Sequence, residues 1–494
     1  MALKDKAARG VFWTLLEYGG GEIISFAVFL VLARVITPSD FGVVSLALVF
    51  VSFVQMFLVQ GFADAVIQRQ EVEPDHCSTA FWANLAIAAL FSLLILIGAG
   101  QLETLFHAPH LAGVLRALAA LPVGTALTSI HQALFRRRLE FANFAKRAVI
   151  AVGTGGAVGV ALALAGFGVW SLVAQQLTNA AVSVVVFWWA SDWRPSFRFS
   201  GRCLRDMAEF SASVMGSNLM VFIGKKADVT LIGYFFSTDQ LGYYYLVQRL
   251  LWTAGYVTQS TIQSIVMPVL SRVQDEPNRF RAIFARTVEA LNAVWLPLAL
   301  GAGLTASLLL PTVFGPRWQP SVPLLEIMSL CGFTDAFYLY SAPTLAAAGR
   351  PRAYLKLSLI QVVVILALVL PGTQFGLAGV AAADVAIAMT IIPFNLAVLK
   401  REIGIAPGGL FRRCAPATTA GIAMAAAVLA VKAPAVTFLP PFAALAVLVL
   451  SGAAVYAIGL TVFAPAFVRQ MQGLVLTALG RSPEAGADRI ETAG

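Results

Sequence analysis

Long apolar stretches follow one another from end to end of this 494-residue chain, and its basic residues fall almost entirely in every second gap between them. Of the 34 Lys and Arg residues, only Arg34, Arg317 and Lys432 lie in the other gaps. Short loops that are rich in Lys and Arg stay on the cytoplasmic side of a membrane. The alternation therefore predicts a protein that crosses the membrane many times.

The composition agrees with this prediction, because 59% of the residues are hydrophobic and 12% are charged, against roughly 25% charged in soluble domains. Apolar segments of about 20 residues match a hydrocarbon core of about 30 Å. We expect an all-α membrane protein with about 14 transmembrane helices. The segments are 10–35, 41–66, 79–102, 111–135, 144–166, 168–190, 208–235, 241–268, 286–310, 320–347, 354–372, 375–398, 414–432 and 438–464.

A repeat divides the chain, since residues 36–46 align with residues 236–246 at an offset of 200. Internal repeats of this kind are common in transporters, which place the substrate site between the halves. We therefore predict two six-helix lobes in the same orientation, followed by an extra helix pair, with both termini in the cytoplasm. The predicted units are the lobe 1–190, an interfacial linker 191–207, the lobe 208–398, the extra pair 399–466, and a surface helix with a disordered tail at 467–494.

Charged residues inside the predicted spans are the main functional candidates, because each costs about 2.5–3.5 kcal/mol to insert and usually faces a cavity or a partner. Lys225, Lys226 and Asp228 lie inside the seventh span, Arg249 inside the eighth, and Arg116 near the outer end of the fourth. One interpretation is a cavity with a cationic floor that receives an anionic head group, with Asp228 tuning the lysines or exchanging an ion. The other is a self-neutralising Lys–Asp pair, with the remaining cations reaching the membrane surface.

Acidic residues in the spans are candidates for ion coupling. Glu17 and Glu22 flank three glycines in the first span, and a hinge beside two acids would suit proton or sodium coupling. Close helix packing at the glycines is the alternative. Further candidates, for most of which we favour a structural role, are Asp64, Glu289, Glu326, Asp335 and Asp384.

Five sequence stretches carry a resemblance to a known family. With them the chain resembles the Wzx-type polysaccharide exporters, in the colanic-acid branch of the multidrug/oligosaccharidyl-lipid/polysaccharide (MOP) flippase superfamily. The stretches are Leu32-Ala-Arg34-Val-Ile-Thr-Pro38-Ser-Asp40-Phe-Gly42, Gln132-Ala-Leu-Phe-Arg136, Gly166-Phe-Gly168-Val-Trp170, Asp228-Val-Thr-Leu231-Ile-Gly233 and Met267-Pro-Val-Leu-Ser271.

The resemblance implies two lobes around a central cavity that work by alternating access in the bacterial inner membrane. It implies a substrate that is an undecaprenyl-diphosphate-linked oligosaccharide, flipped outward for polymerisation. Membrane lipids, a polymerase and chain-length or export machinery are the expected partners. No nucleic acid, metal or other cofactor is expected.

Alternatives to this function remain open. Another substrate of the superfamily, such as a peptidoglycan precursor or a cationic drug, is the first, although Lys225, Lys226 and Arg249 would repel a cationic drug. A membrane polymerase or glycosyltransferase is the second, but the short outward gaps leave no room for a catalytic domain. A membrane partner protein without transport activity is the third.

Overall fold

The computed structural model describes residues 20–68, 73–138, 140–261, 266–338, 341–465 and 467–469, and within them all regular structure is helical. This confirms the all-α class. The helices of the first half are α1 (Gly21–Val35), α2 (Pro38–Gln60), α3 (Phe62–Gln68), α4 (Pro74–Phe106), α5 (Leu111–Leu118), α6 (Ala120–Arg138), α7 (Phe141–Leu164) and α8 (Val169–Ala190).

Eleven further helices make up the rest of the described chain. They are α9 (Gly201–Phe235), α10 (Thr238–Thr261), α11 (Met267–Arg272), α12 (Pro277–Leu309), α13 (Val322–Met328), α14 (Asp335–Tyr338), α15 (Ser341–Ala347), α16 (Pro351–Gly372), α17 (Gly376–Ile403), α18 (Pro407–Phe438) and α19 (Pro441–Phe463).

Nine helical stretches of the described chain are long and apolar enough to cross a membrane, and one of them, residues 353–403, contains most of α16 and all of α17. The chain is therefore a multi-pass membrane protein. The helices α9 and α10, which carry Lys225, Asp228 and Arg249, are not among the nine because they are less apolar. The count of about 14 spans stays a prediction.

The hydrophobic cores show how the two halves meet. One large core contains residues of both halves, for example Leu46 of α2, Leu241 of α10 and Trp318. Two other cores are separate: one surrounds Phe81 at the start of α4, and the other surrounds Phe284 of α12. The halves thus share a core near residues 32–46 and 232–247. Elsewhere, the core around Phe284 lies in the second half alone, whereas the core around Phe81 also contains Cys203 and Met207 from the start of α9.

The predicted span 320–347 is not one helix. It consists of a 3₁₀ turn (Pro316–Ser321), α13, a second 3₁₀ turn (Ser329–Phe333), α14 and α15. Prolines at 316, 320, 323 and 343 lie in the first 3₁₀ turn and near the starts of α13 and α15, where they favour helix breaks because proline lacks the N–H that continues a helix; the second 3₁₀ turn contains no proline. The break places Asp335 at the first position of α14.

The predicted linker 191–207 is shorter than expected, because α9 already begins at Gly201. Ser200 caps this helix, since its side chain accepts a hydrogen bond from the Cys203 N–H. Of the predicted surface helix at the C-terminus, only residues 467–469 are described, and they are helical. Glu17 lies outside the described residues.

The last two helices pack against each other and against α12, so they extend the second half away from the first. The Tyr456 hydroxyl of α19 donates to the Ala293 carbonyl of α12 at 2.7 Å. Asn292 of α12 donates to the Cys414 carbonyl of α18 at 3.3 Å. The side chains of Leu296, Met424 and Leu448 fill the core between the three helices.

Candidate functional site

A cavity of about 560 Å³ lies inside the second half of the molecule, lined by residues between 220 and 391. Three carboxyl groups, those of Asp228, Asp335 and Asp384, line it, together with one amino group, that of Lys225. This differs from the expected cationic cavity between the halves. The cavity contains three aspartates and one lysine, and all of its lining residues belong to the second half.

The structure separates the cationic residues that we expected to share a cavity. Lys225 lines the large cavity, whereas Arg249 lines a second, smaller one. Lys226 is half-buried and lines neither of the two, because it follows Lys225 directly and neighbours in a helix point in different directions.

Arg116 is exposed and lines neither cavity. It lies on α5, which buries Leu111, Val114, Leu115 and Leu118. Because these residues form the packed face of the helix, the arginine points outward. The structure therefore does not support Arg116 as part of the binding set.

Asp228 is held by groups of α10 rather than by lysine. Its Oδ2 accepts from the Tyr244 hydroxyl at 2.7 Å and from the Gln248 amide, and its Oδ1 accepts from the Val229 N–H at 2.8 Å. Tyr244 and Gln248 are one helical turn apart, so both reach the same carboxylate. The expected Lys–Asp pair does not form, because no described carboxylate lies within 4.0 Å of the Lys225 amino group.

The Tyr244 hydroxyl also lies 2.7 Å from Oδ2 of Asp384 on α17. A tyrosine hydroxyl has one hydrogen to donate, so it can satisfy only one of the two carboxylates. The other contact requires a hydrogen on a carboxyl group. The arrangement of Asp228, Tyr244 and Asp384 is therefore suited to hold an exchangeable proton in the centre of the second half.

The third acid of the cavity has a different partner. The Trp295 indole N–H of α12 donates to Oδ2 of Asp335 at 3.0 Å. Asp335 reaches this position because the chain is broken just before α14. The second half thus holds three carboxyl groups on three different helices around one space.

Arg249 forms an ion pair that joins the two halves. Its Nη2 lies 2.8 Å from Oε1 of Glu22 on α1, and both side chains are mostly buried. The same nitrogen donates to the Ser25 hydroxyl at 2.8 Å, and Thr253 donates to the Glu22 carboxylate at 2.9 Å. Glu22 is therefore the ion-pair partner of Arg249 in this conformation.

The smaller cavity, of about 130 Å³, lies beside this pair and is lined from both halves. Its polar lining includes Gln175 and Gln176 of α8 in addition to Arg249. The Arg249 guanidinium also lies 5.3 Å from the ring centre of Trp252, which lines the large cavity. Arg249 therefore stands between the two cavities.

The two copies of the sequence repeat contact each other directly where the helices α2 and α10 begin. The Ser39 and Thr238 hydroxyl oxygens are 2.6 Å apart. A Cβ atom at Gly42 would lie 1.9 Å from the Thr238 carbonyl oxygen, and one at Gly242 would lie 1.9 Å from that of Pro38. We call this contact the seam; glycine is needed at both positions because backbone occupies the space of a side chain.

Hydrogen bonds across the halves reinforce the seam. Arg34 donates to two carbonyl oxygens of residues 312–313, at 2.5 and 2.6 Å. Trp318 and Arg317 donate to carbonyl oxygens of residues 33–36, at 2.7 to 3.3 Å. Arg34 and Arg317 are two of the three basic residues that lie outside the alternating charge pattern. In the structure, both form hydrogen bonds between the halves.

The sequence alone did not single out Tyr244 or Gln248 as site residues. Asp384 and Asp335 were among the secondary candidates. The sequence signal for Tyr244 and Gln248 was their spacing, because polar side chains four residues apart in an apolar span lie on the same face of a helix. Glu289, also a secondary candidate, has a structural role, because it pairs with Arg413 of α18 at 3.3 Å.

These features are those of a multi-pass membrane protein in which two copies of a sequence repeat contact each other. Residues 31–323, more than half of the chain, match the family model described as "Polysaccharide biosynthesis protein". The chain belongs to this family, which is a family of transporters, and is not an enzyme.

The chain is also similar to proteins that are named for polysaccharide biosynthesis. The chain is 28% identical to the succinoglycan biosynthesis transport protein ExoT of Rhizobium meliloti (strain 1021) over 322 residues, which is 65% of each chain and so just under two thirds of that protein. It is 21% identical to the lipopolysaccharide biosynthesis protein WzxC of Escherichia coli (strain K12) over 394 residues, 77% of this chain and 78% of that one. The resemblance to Wzx-type exporters is confirmed.

Solved structures share the fold. The lipid II flippase MurJ, in an inward closed conformation, superposes with a TM-score of 0.74 at 11% identity, covering 93% of this chain and 100% of that one. An inward-facing MATE-family multidrug transporter of the MOP superfamily gives a TM-score of 0.62 at 14% identity, covering 78% of this chain and 94% of that one. The fold is therefore that of MurJ and the MATE transporters.

Proposed function

We propose that this protein flips undecaprenyl-diphosphate-linked oligosaccharide repeat units from the cytoplasmic to the outer leaflet of the bacterial inner membrane. The units would then serve exopolysaccharide or lipopolysaccharide synthesis by a polymerase and its chain-length machinery. Family membership and relatives named for succinoglycan and lipopolysaccharide biosynthesis support this substrate class. Both termini would lie in the cytoplasm, as the basic loops predict.

The observation that carries the transport mechanism is the unequal contact between the halves. They share a core and the seam near residues 32–46 and 232–247, whereas the core around Phe284 lies in the second half alone and the core around Phe81 includes only the start of α9 from that half. Two rigid halves joined at one end can open at that end and close at the other, which is alternating access.

Recognition of a diphosphate would use the exchangeable partner of Arg249. In this conformation the guanidinium is neutralised by Glu22 from the other half. A diphosphate carries more negative charge than one carboxylate and accepts bidentate hydrogen bonds from arginine. Substrate would therefore displace Glu22, with Lys225 supplying a second positive charge from the large cavity.

Coupling to an ion would use Asp228 and Asp384. Their shared contact with Tyr244 needs one hydrogen more than the tyrosine can supply. Gain or loss of that proton, or its replacement by a small cation, would change the charge inside the second half. Such a change can bias the equilibrium between two conformations.

A second candidate deserves a test because the large cavity holds three acids and one lysine. That balance favours a cationic substrate, such as a drug, more than the sequence suggested. In the flippase hypothesis, the acids serve the coupling ion and the substrate diphosphate binds at Arg249.

The experiment uses the purified full chain in proteoliposomes with two cargoes. One is a fluorescent undecaprenyl-diphosphate oligosaccharide, whose transfer is read by quenching from outside; the other is a fluorescent organic cation. We expect transfer of the lipid-linked sugar, faster than in empty vesicles. Uptake of the cation without transfer of the sugar would contradict the proposal and support the second candidate.

A further inference from the structure

The connection between the halves is fixed in place although it has no regular structure. Residues 191–200 run across the start of α4. The Trp82 indole donates to the Ser196 carbonyl at 2.8 Å, the Ser196 N–H donates to the Ser78 hydroxyl at 3.1 Å, and the Ser200 N–H donates to the Thr79 hydroxyl at 3.1 Å. These bonds hold the connection against the end of the bundle.

Large aromatic side chains project from this fixed connection and from the end of α8. Phe197 is 94% exposed, Trp189 is 86% exposed and Phe199 is 58% exposed. The Phe197 ring stacks on Trp82 with 5.4 Å between the ring centres, so one face is supported and the other is free. Aromatic rings that are held and uncovered are typical of the boundary between hydrocarbon and water.

Four arginines lie in the same connection or at the start of α9. Arg194, Arg198, Arg202 and Arg205 are all exposed. Within the described part of the chain, no carboxylate forms an ion pair with Arg198, Arg202 or Arg205. Their positive charge is therefore available to an anionic ligand.

The length of α9 allows its first turns, with Arg202 and Arg205, to lie at the membrane surface. The helix has 35 residues, which corresponds to about 52 Å at 1.5 Å per residue. A hydrocarbon core is about 30 Å thick, so one end of α9 must extend beyond it. Arg202 and Arg205 lie in the first two turns, next to the end of α6 with its exposed Arg136, Arg137 and Arg138.

We propose that residues 189–205 form a binding surface for the head groups of anionic phospholipids, which we call the linker surface. The rings insert between lipid chains, and the guanidinium groups bind the phosphates, to which their planar N–H groups are matched. Because this segment joins the two halves, bound lipid fixes their connection to the membrane plane while the halves move. The inference does not depend on which substrate is transported.

The test compares two triple variants with the same loss of charge. The first is Arg198→Gln, Arg202→Gln and Arg205→Gln; the control is Lys400→Gln, Arg401→Gln and Arg412→Gln, which are also exposed and lie at the junction of α17 and α18. Each protein is placed in nanodiscs of phosphatidylcholine with or without phosphatidylglycerol, and retained lipid is counted by native mass spectrometry. Elution as a single monodisperse species confirms that each variant is folded.

We expect the native chain and the control to retain phosphatidylglycerol, and the linker variant to retain it about a hundredfold less, because each of the three basic residues near an anionic surface contributes about 1 kcal/mol. Equal retention by both variants would overturn the proposal. Competition with inorganic phosphate provides a second readout. If phosphate displaced the lipid more effectively than chloride at equal ionic strength, the surface would be a phosphate site rather than a lipid site, and the proposal would also fail.

Discussion

The interface between the halves and the interior of the second half use charge in opposite ways. At the interface, Arg249 and Glu22 belong to different halves, so their 2.8 Å contact must break when the halves separate. In the interior, Asp228, Tyr244 and Asp384 all belong to the second half and can stay together in every conformation. The comparison shows that the ion pair at the interface depends on the positions of the halves, whereas the acids of the interior can hold an ion in either conformation.

The largest effect is expected at the seam. Gly242→Ala puts a methyl group 1.9 Å from the Pro38 carbonyl oxygen, so the halves cannot close there and transport of the lipid-linked sugar should be abolished. Gly301→Ala is the matched control, since a Cβ atom there meets nothing within 4 Å. Transfer in proteoliposomes is measured for both, and normal transfer by Gly242→Ala would show that the seam does not need to close.

The second-largest effect on transport is expected at the two acids inside the second half. Asp228→Asn and Asp384→Asn each remove a site for the shared proton, so the dependence of transport on a proton or cation gradient should disappear and the rate should fall at least about tenfold, the scale of a buried charged hydrogen bond of about 1.5–3 kcal/mol. Glu326→Gln, an exposed acid on α13, is the control and should retain the dependence. A gradient response that survives in both Asp variants would assign coupling to another group.

A smaller effect is expected from the pair that joins the halves. Glu22→Gln and Arg249→Gln should each lower the midpoint of thermal unfolding in detergent, because each leaves a mostly buried charge without its partner. The double variant should lose less than the sum, with a coupling energy of about 0.5–3 kcal/mol. Additive losses would mean that the pair does not stabilise this conformation.

The smallest effect is a difference in transfer rate between variants of the two neighbouring lysines. Lys225→Gln should slow transfer of the lipid-linked sugar several-fold, because its amino group faces the large cavity, whereas Lys226→Gln should leave the rate close to that of the native chain. Initial rates of transfer are compared at equal protein in the vesicles. A larger loss at Lys226 would place the substrate path outside the cavity.

Much of the fold could be predicted from the sequence, because hydropathy and the placement of Lys and Arg respond to the membrane itself. The repeat of residues 36–46 and 236–246 also indicated two halves. The break at residues 316–347 was missed, since its apolar residues suit a continuous span and only the prolines signal otherwise.

The site was harder to predict, because its groups meet through tertiary packing. Asp228 and Lys225 share a helical face, which suggested an ion pair. Instead, Tyr244 and Gln248 from another helix donate hydrogen bonds to the Asp228 carboxylate. Arg249 and Glu22 were each recognised as unusual charges in a span. Nothing in the sequence indicated that residues more than two hundred positions apart would neutralise each other across the halves.

The central claim is that the seam opens during each transport cycle, and a reversible cross-link tests it most directly. Ser39→Cys and Thr238→Cys, at hydroxyls that are 2.6 Å apart, are introduced into a chain whose four native cysteines are replaced by serine. We predict that oxidation abolishes transfer of the lipid-linked sugar, that reduction restores it, and that either single cysteine is insensitive to both. Undiminished transfer by a fully cross-linked protein would contradict the account.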